Sequence, residues 1–359
     1  MNLLILVPEI RPCGPINVVL SLVESNFFKK SKMCVWVVEI RASDETEYKK
    51  NFKNVIGDNV ISLSGVNLKS YFNFQKILRE NAIDVVHSHG FYPDSFLAFS
   101  SIKGLLKVST SHNIIHEDYF FTFGRKGSFF SHFHYFLLRN FFDKVVGCSN
   151  RVYQNLINNN LGTESTLRIY NGININKFLK ISKFEKKRRR VELNLLDNQI
   201  VYIYSGSLWP MKKVPELIDI FKEKLQIDPN SFLLILGDGP DEKLCKQKIE
   251  GEDNIKMVGK VPNPEFYLQL ADIALSNSSS EGFPLAILEA ISCGCFVYLS
   301  DIEPHREIMS LFPYSTAPIK NILESGMKFL EINGAQVDLI SDEKMAEQYF
   351  NVYNYKRNK

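Results

Sequence analysis

No run of about 18 uncharged apolar residues occurs in this chain of 359 residues, so nothing in it reads as a membrane span. The apolar start, MNLLILVPEI, lacks a basic leader and a small-residue cleavage site. It reads as a first buried strand rather than a signal peptide. Cysteine is scarce. Of six, only Cys293 and Cys295 lie close together, and no second ligand pair stands near them. That spacing argues for free thiols in a reducing compartment, against a disulfide framework or a zinc site. No zinc-finger or RNA-binding motif is present and the net charge is only +3, so nucleic acid is not an expected partner. Internal repeats and low-complexity tracts are also lacking. The charge is unevenly spread: residues 1–175 hold 19 Lys and Arg against 14 Asp and Glu, the remainder 24 against 26. A mildly basic first half can favour an anionic surface or ligand.

With 45% hydrophobic and 23% charged residues, the composition is that of a soluble globular protein, and the length suits two domains. Short apolar runs alternate with amphipathic segments such as NVVLSLVESNF (17–27). LLILVP (3–8), CVWVVEI (34–40), DVVHSH (84–89), KVSTSH (107–112) and KVVGCS (144–149) read as buried strands. The series restarts with VYIYSGS (201–207), FLLILGDG (232–239), IKMVGKV (255–261), DIALSNS (272–278) and CFVYLSD (295–301). Strands alternating with helices argue for parallel α/β sheets. The basic stretch NKFLKISKFEKKRRRVELN (176–194) reads as a solvated connection between the two series. The expectation is two doubly wound, Rossmann-like domains facing across a cleft, 1–175 and 176–342, with ligands at the carboxyl ends of strands.

One stretch carries chemistry: SSSEGFPLAILEAISCG, residues 278–294. DIALSN before it is a strand, SSSEGF a loop at the strand's carboxyl end. Pro284 suits a first helical turn, Leu285–Ser292 continue as helix, and Gly294 suits a left-handed C-terminal position. The amides around Phe283–Ala286 then form a ready anion site. Glu281 in the loop can accept hydrogen bonds from hydroxyls, and Glu289 can reach another part of the same ligand. A phosphate held between two hydroxyl-bearing groups is a nucleotide sugar. The plainer reading is a capping glutamate and a surface glutamate.

The run Glu-Gly-Phe-Pro-Leu-x-x-x-Glu-Ala resembles the E-x7-E signature of the retaining family-4 glycosyltransferases of the GT-B fold. Other stretches are similar to that family in order: IYNGININKF (169–178), SGSLWPMKK (205–213), LGDGP (236–240), LADIALSNSS (270–279), and DVVHSHG and VSTSHN in the first half. The resemblance covers nearly the whole chain. It implies that Glu281 contacts the donor sugar, that Glu289 binds the nucleotide ribose, and that amides after Gly282, with Phe283, Pro284 and Leu285, hold phosphates and sugar. It makes Lys212 the residue that neutralises the diphosphate leaving group, beside Gly206. Where the family has arginine this chain has Ser207, and Lys213 stands where a glycine usually follows the lysine. Of the family's Gly-Gly loop, Gly14 matches one glycine and Cys13 or Pro15 replaces the other. His112 matches the family histidine that approaches the donor sugar, and His89 is a lesser candidate; His305 and Glu307 in DIEPHREIM match a family stretch after the signature, where Glu307 is a minor candidate.

The reaction so implied is transfer of a hexosyl group with retention of configuration, from a UDP- or GDP-sugar to a glycan acceptor, lipid-linked, in O-antigen, capsule or exopolysaccharide synthesis. The diphosphate oxygen would take the acceptor's proton on the same face, and neither metal nor cofactor is called for. A non-catalytic partner subunit that kept the fold, and another GT-B nucleotide-sugar enzyme, are the alternatives. The segment 116–142 holds 9 of the 27 phenylalanines together with Arg125 and Lys126. It reads either as a helix packed on the first sheet or as a face for acceptor or anionic membrane. A cytoplasmic enzyme, peripheral at the inner face of the plasma membrane, is expected. The last stretch, 343–359, reads as an amphipathic helix that packs back on the first domain.

Overall fold

A computed structural model describes residues 1–44, 46–324 and 334–355. The chain divides into two compact units, Met1–Gly172 with the chain from Ile340 onward, and Ile173–Leu339. The division thus falls three residues before the boundary read from the sequence, and the return three residues before 343.

The first unit holds a seven-stranded sheet of β1 (Asn2–Val7), β2 (Cys34–Glu39), β3 (Val60–Ser62), β4 (Val85–His89), β5 (Leu106–Ser111), β6 (Lys144–Gly147) and β7 (Thr166–Arg168). Its order is β3-β2-β1-β4-β5-β6-β7, with every pairing parallel. The second holds β8 (Ile200–Ser205), β9 (Ser231–Leu236), β10 (Ile255–Gly259), β11 (Ile273–Ser276), β12 (Phe296–Leu299) and β13 (Thr316–Pro318) in the order β10-β9-β8-β11-β12-β13, again parallel. Leu3–Val7 are wholly buried, as expected of a strand covered on both faces. The strand order reverses between β1 and β4 in one sheet and between β8 and β11 in the other. Loops leaving the carboxyl ends of such neighbours diverge and leave a crevice.

Three strands went unread in the sequence: β3, β7 and β13. Each is three residues long and lies at a sheet edge, partly exposed. The helix expected over 17–27 begins at Gly14 and stops at Glu24, because Ser25 leaves the helix and caps a second one, Asn26–Lys30, through Phe28 N. The basic connection is the helix Lys183–Glu192. Its charges are spent internally: Arg190 and Lys186 pair with Asp272, Arg189 and Arg188 with Glu185, Lys187 with Asp197.

Two buried polar devices fix the first unit's loops. Glu39, at the end of β2, accepts from Lys49 Nζ at 2.6 Å, Ser62 Oγ at 2.6 Å and the Ile10 amide at 2.8 Å. Burial alone would raise its pKa, but these partners outweigh burial and lower it. The Ile10 bond ties the loop after β1 to the sheet just before Gly14. A buried pair of this kind costs about 3–5 kcal/mol when one partner is removed.

The chain's last described helix, Asp342–Tyr353, supplies the second device. Glu343 accepts from the amides of Asn26 and Phe27 at 2.7 and 2.9 Å. Tyr353 and Tyr349 reach under the sheet to His87 and Thr110. The amphipathic helix read at 343–359 thus packs on the first unit; 356–359 lie outside the described residues. Gly172, where the chain leaves this unit, sits where an added Cβ would be 2.5 Å from Ser341 O, so exit and return lie side by side.

Candidate active site

In the second unit the β8–β11 reversal brings two loops together. The loop after β8 runs Gly206–Lys213 and rests on the loop after β9 through Leu208 N to Asp238 O (2.7 Å) and Asp241 N to Leu208 O (2.9 Å). Gly237 has φ +128°, and a Cβ there would lie 1.8 Å from Gly206 O. Only glycine allows this approach. Buried Tyr204 donates to Ser207 O at 2.8 Å, fixing the loop from below. The backbone at Ser207 is therefore held although its side chain is exposed and carries no charge. Lys213 adopts φ +51°, which explains why glycine would suit this position; its side chain is exposed.

The loop after β11 carries Glu281. Its Oε1 accepts from Lys212 Nζ at 2.5 Å and from Ser278 Oγ at 2.8 Å. The two side chains are 12% and 20% exposed, Glu281 and Lys212 respectively, so the pair is largely shielded from water yet reachable. Ser278 is held in turn: Ser300 Oγ donates to its carbonyl at 2.6 Å, and His305 Nδ1 lies 2.9 Å from the same Ser300 hydroxyl. His305 is wholly buried, and burial pushes its pKa down to about 4. It braces the loop as a neutral ring. Glu307, on the same helix, is half-buried.

The signature helix spans Leu285–Ser292, and Gly294 follows with φ +90°. Pro284 is its N-cap, one position before the first turn where the sequence placed it. The Pro284 carbonyl takes the amides of Ile287 and Leu288. The earlier amides, those of Leu285 and Ala286, lie outside the helical ladder and carry the positive end of its dipole. Ile287, Leu288, Ala290 and Ile291 turn into the core, which leaves Glu289 half-buried on the opposite side. Burial pushes the Glu289 carboxyl up to about 7; Lys177 opposes this and Glu265 adds to it. Gly282 and Phe283 are buried between Glu281 and the helix. Lys212, Glu281 and the helix start thus form one cluster: a cation, a carboxylate and a set of amides. It can neutralise phosphate and accept from hydroxyls. Lys177, Glu265 and Ser278 escaped the sequence reading because only the fold brings them here. Cys293 and Cys295 are buried; Cys295 Sγ donates to Leu268 O at 3.2 Å, and burial pushes its pKa up to about 12.

In the first unit Gly14 opens the helix Gly14–Glu24, with Cys13 as N-cap and Pro15 within the first turn. A Cβ on Gly14 would meet nothing within 4 Å, so internal packing does not demand glycine there. His89 ends β4 and His112 directly follows β5. Strand alternation sends His87, His89, Thr110 and His112 to one face, while Ser88 and Ser109 go to the other. On that other face Ser88 and Ser109 donate to Asp94, which also holds His134 at 2.7 Å; His134 in turn holds Tyr119 at 2.7 Å.

This second network pins the segment 116–142, which forms the helices Ile115–Phe123 and Gly127–Phe141. Ser131, His134, Tyr135, Leu137 and Leu138 face inward. Phe129 (73% exposed), Phe133 and Phe136 (45%) are therefore held outward, at helical spacing. The strip runs on through Phe136–Phe141 and Phe141–Phe99 ring contacts at 6.1 and 5.7 Å. From Phe99, whose carbonyl accepts from Tyr71, it reaches Phe72, 65% exposed. Arg125, Lys126, Arg139, Lys103 and Lys69 flank it, all exposed. The reading of helices packed on the sheet holds, and several phenylalanines remain exposed on their outer side. Among the described residues no helix is long and apolar enough to cross a membrane.

Comparison with known proteins agrees with this architecture. Residues 35–177 match the family model for Glycosyltransferase Family 4, and residues 185–312 that for glycosyl transferases group 1. The O-antigen biosynthesis glycosyltransferase WclY of Escherichia coli is 24% identical over 375 aligned residues, spanning 99% of this chain and 98% of that protein. A UDP-Gal:alpha-D-GlcNAc-diphosphoundecaprenol alpha-1,3-galactosyltransferase of the same organism is 32% identical over 38% of this chain and 36% of its own length. HepE of Anabaena, solved in complex with UDP-glucose, superposes with a TM-score of 0.80 at 18% identity, covering 98% of this chain and 99% of that one. With both units matched by the family's models and both sheets of the GT-B type, the chain belongs to the family-4 glycosyltransferases.

Proposed function

We propose that the chain transfers a hexosyl residue, with retention of anomeric configuration, from a UDP-sugar to a lipid-linked glycan in the synthesis of a surface polysaccharide. The Lys212–Glu281 pair at the β8–β11 reversal, beside the start of the signature helix, is the observation that carries this reading. The diphosphate lies on the amides of Leu285 and Ala286 with Lys212 as counter-charge. Glu281 takes a hydroxyl of the transferred sugar, Glu289 takes the ribose, and His112, on the family resemblance, takes a further hydroxyl of that sugar. The acceptor hydroxyl attacks C1 on the face that the diphosphate leaves. The C1–O bond to phosphate breaks, the new C1–O bond forms, and the hydroxyl proton passes to the departing phosphate oxygen. No carboxylate nucleophile takes part. Stabilisation of developing charge is the main demand on the protein, and fixed donors meet it well. Lys212 and the amides do this work in place of a metal ion. The undecaprenyl-linked acceptor named for the galactosyltransferase, and the O-antigen role named for WclY, support the acceptor class and pathway.

The test is an assay with UDP-hexoses and an undecaprenyl-diphosphate-linked N-acetylhexosamine, run in excess EDTA, with the anomeric proton coupling of the product read by NMR. An α-linked product from an α-linked donor, formed at an undiminished rate in EDTA, is expected. A β-linked product would remove retention, and loss of activity in EDTA would remove metal independence. Absence of transfer and of donor hydrolysis across the common UDP-sugars would favour a non-catalytic subunit.

The aromatic strip and its basic rim fit the same reading, because a lipid-linked acceptor presents its sugar at a membrane surface. Aromatic rings enter the headgroup boundary, and basic residues add attraction to anionic lipid. The protein should sediment with anionic liposomes at low salt and be released as salt rises, since screening weakens the basic contribution. Replacing Phe129 and Phe136 together with serine should abolish sedimentation while leaving thermal stability unchanged, because neither ring is part of the core. Sedimentation that survives this double change would move the contact elsewhere.

A further inference from the structure

Two histidines on one strand, two residues apart, are treated differently by the fold. His87 is fully satisfied: Nδ1 lies 2.7 Å from Tyr353 OH and Nε2 2.7 Å from Thr110 Oγ1. It is a core histidine. His89 is 2% exposed, and only its Nδ1 has a partner, His112 Nε2 at 2.8 Å. The two rings are inclined by 23° with centroids 5.1 Å apart, as a hydrogen bond between near-coplanar imidazoles requires. The outer nitrogens, His89 Nε2 and His112 Nδ1, are buried and have no hydrogen-bond partner among the described residues. Buried polar atoms without a partner call for an explanation, such as a ligand or a water that they hold.

Burial keeps both rings neutral near pH 7: it lowers His112 to about 4 and His89 well below the ordinary histidine value. Two neutral imidazoles joined by one hydrogen bond share one N–H between them. At the outer ends they offer one N–H and one lone pair. A hydroxyl can donate or accept, so a sugar hydroxyl suits either end.

We propose that His89 is a positioning residue for His112. By occupying Nε2 it fixes the ring plane, and it leaves Nδ1 as the nitrogen that meets a hydroxyl of the transferred sugar. This rests on the reading of His112 given above. The role of His89 lies in turnover rather than in donor affinity, because a misaligned contact is felt where the geometry changes most.

Asparagine places an amide near the position of the histidine Nδ1; leucine places nothing polar there. His89→Leu should lower kcat by about tenfold or more, the scale of a misplaced contact, with the donor KM changed less than about threefold. His89→Asn should retain most of the wild-type turnover. In a His112→Ala background, His89→Leu should add no further loss, since coupled residues are non-additive. Nitrogen-15 spectra of labelled imidazoles give a readout without substrate: the signature of a hydrogen-bonded His112 Nε2 should be lost in His89→Leu and persist in His89→Asn. If His89→Leu fails to fold, His89→Phe fills the space without the bond. Wild-type kcat in the apolar variant, or additive losses in the double variant, would overturn the proposal. Full turnover in His112→Ala would instead overturn the reading of His112 itself, while the spectra would still report whether His89 holds its Nε2.

Discussion

Replacing Lys212 with alanine should lower turnover by about 100-fold or more, the scale of losing one key electrostatic donor. Two consequences combine. The departing diphosphate loses its side-chain counter-charge, and the family's arginine is not there to substitute, since Ser207 is uncharged and points to solvent. Glu281 also loses its ion-pair partner and keeps only the Ser278 hydroxyl. A carboxylate left unpaired in a shielded site repels the incoming diphosphate. The expected pattern is therefore specific. Lys212→Ala should impair both kcat and UDP affinity, and Lys212→Ala with Glu281→Gln should bind UDP better than Lys212→Ala alone. Ser207→Arg should be tolerated, because its position is exposed. Steady-state kinetics and calorimetric titration of UDP check the series. A Lys212→Ala enzyme with ordinary turnover would remove the lysine from the leaving-group role.

The two signature glutamates should separate just as clearly. Glu281→Gln should lower kcat by about 100-fold, on the same electrostatic scale, with little change in UDP affinity. Its proposed partner is the sugar that moves, and an interaction gained on the way to the transition state appears in turnover. Glu289→Gln should weaken UDP binding by about 1–3 kcal/mol, the range for a hydrogen bond to a charged group, while saturated turnover stays near normal. Burial has raised the Glu289 pKa to about 7, so the carboxyl is largely protonated at pH 6 and ionised at pH 8. The ionised form accepts from two ribose hydroxyls at once. UDP affinity should therefore rise with pH through about 7 more steeply in the wild type than in Glu289→Gln, where only the terminal phosphate of UDP titrates. Identical profiles for the two variants, or an equal pH dependence in the wild type and Glu289→Gln, would show that the helix presents its acids to other parts of the donor.

Most strands that could be read from the sequence lie inside the sheets, where apolar runs are plain; the edge strand β10, five residues long, was read as well. β3, β7 and β13 lie at edges, carry three residues each and leave no such trace. Glu281 and Glu289 became candidates through their type and spacing, which serve charge and hydroxyls rather than packing, and Lys212 through the family resemblance. Their contact was not. Lys212 and Glu281 are 69 positions apart, and they meet only because β8 lies beside β11. The same is true of His305, which lies in a stretch that matches the family and which the fold uses as a neutral brace. Periodicity could not settle the aromatic helices either. Their inner face is fixed by Asp94 on another helix, and without that anchor the outward phenylalanines are indistinguishable from core.

The return of the chain to its first unit sets an order on synthesis. The strands β1 to β7 leave the ribosome early, and the second unit follows as one continuous length with its own sheet. The first sheet meanwhile lacks its last helix. Until Tyr349 and Tyr353 emerge, Thr110 and His87 have lost two hydroxyl partners, and the short helix at Asn26 lacks its carboxylate cap. Domains usually mature in the order in which they are made. Here the unit made first is finished last, so a nascent chain stalled before residue 340 would hold a complete second unit beside a first one still missing its closing helix.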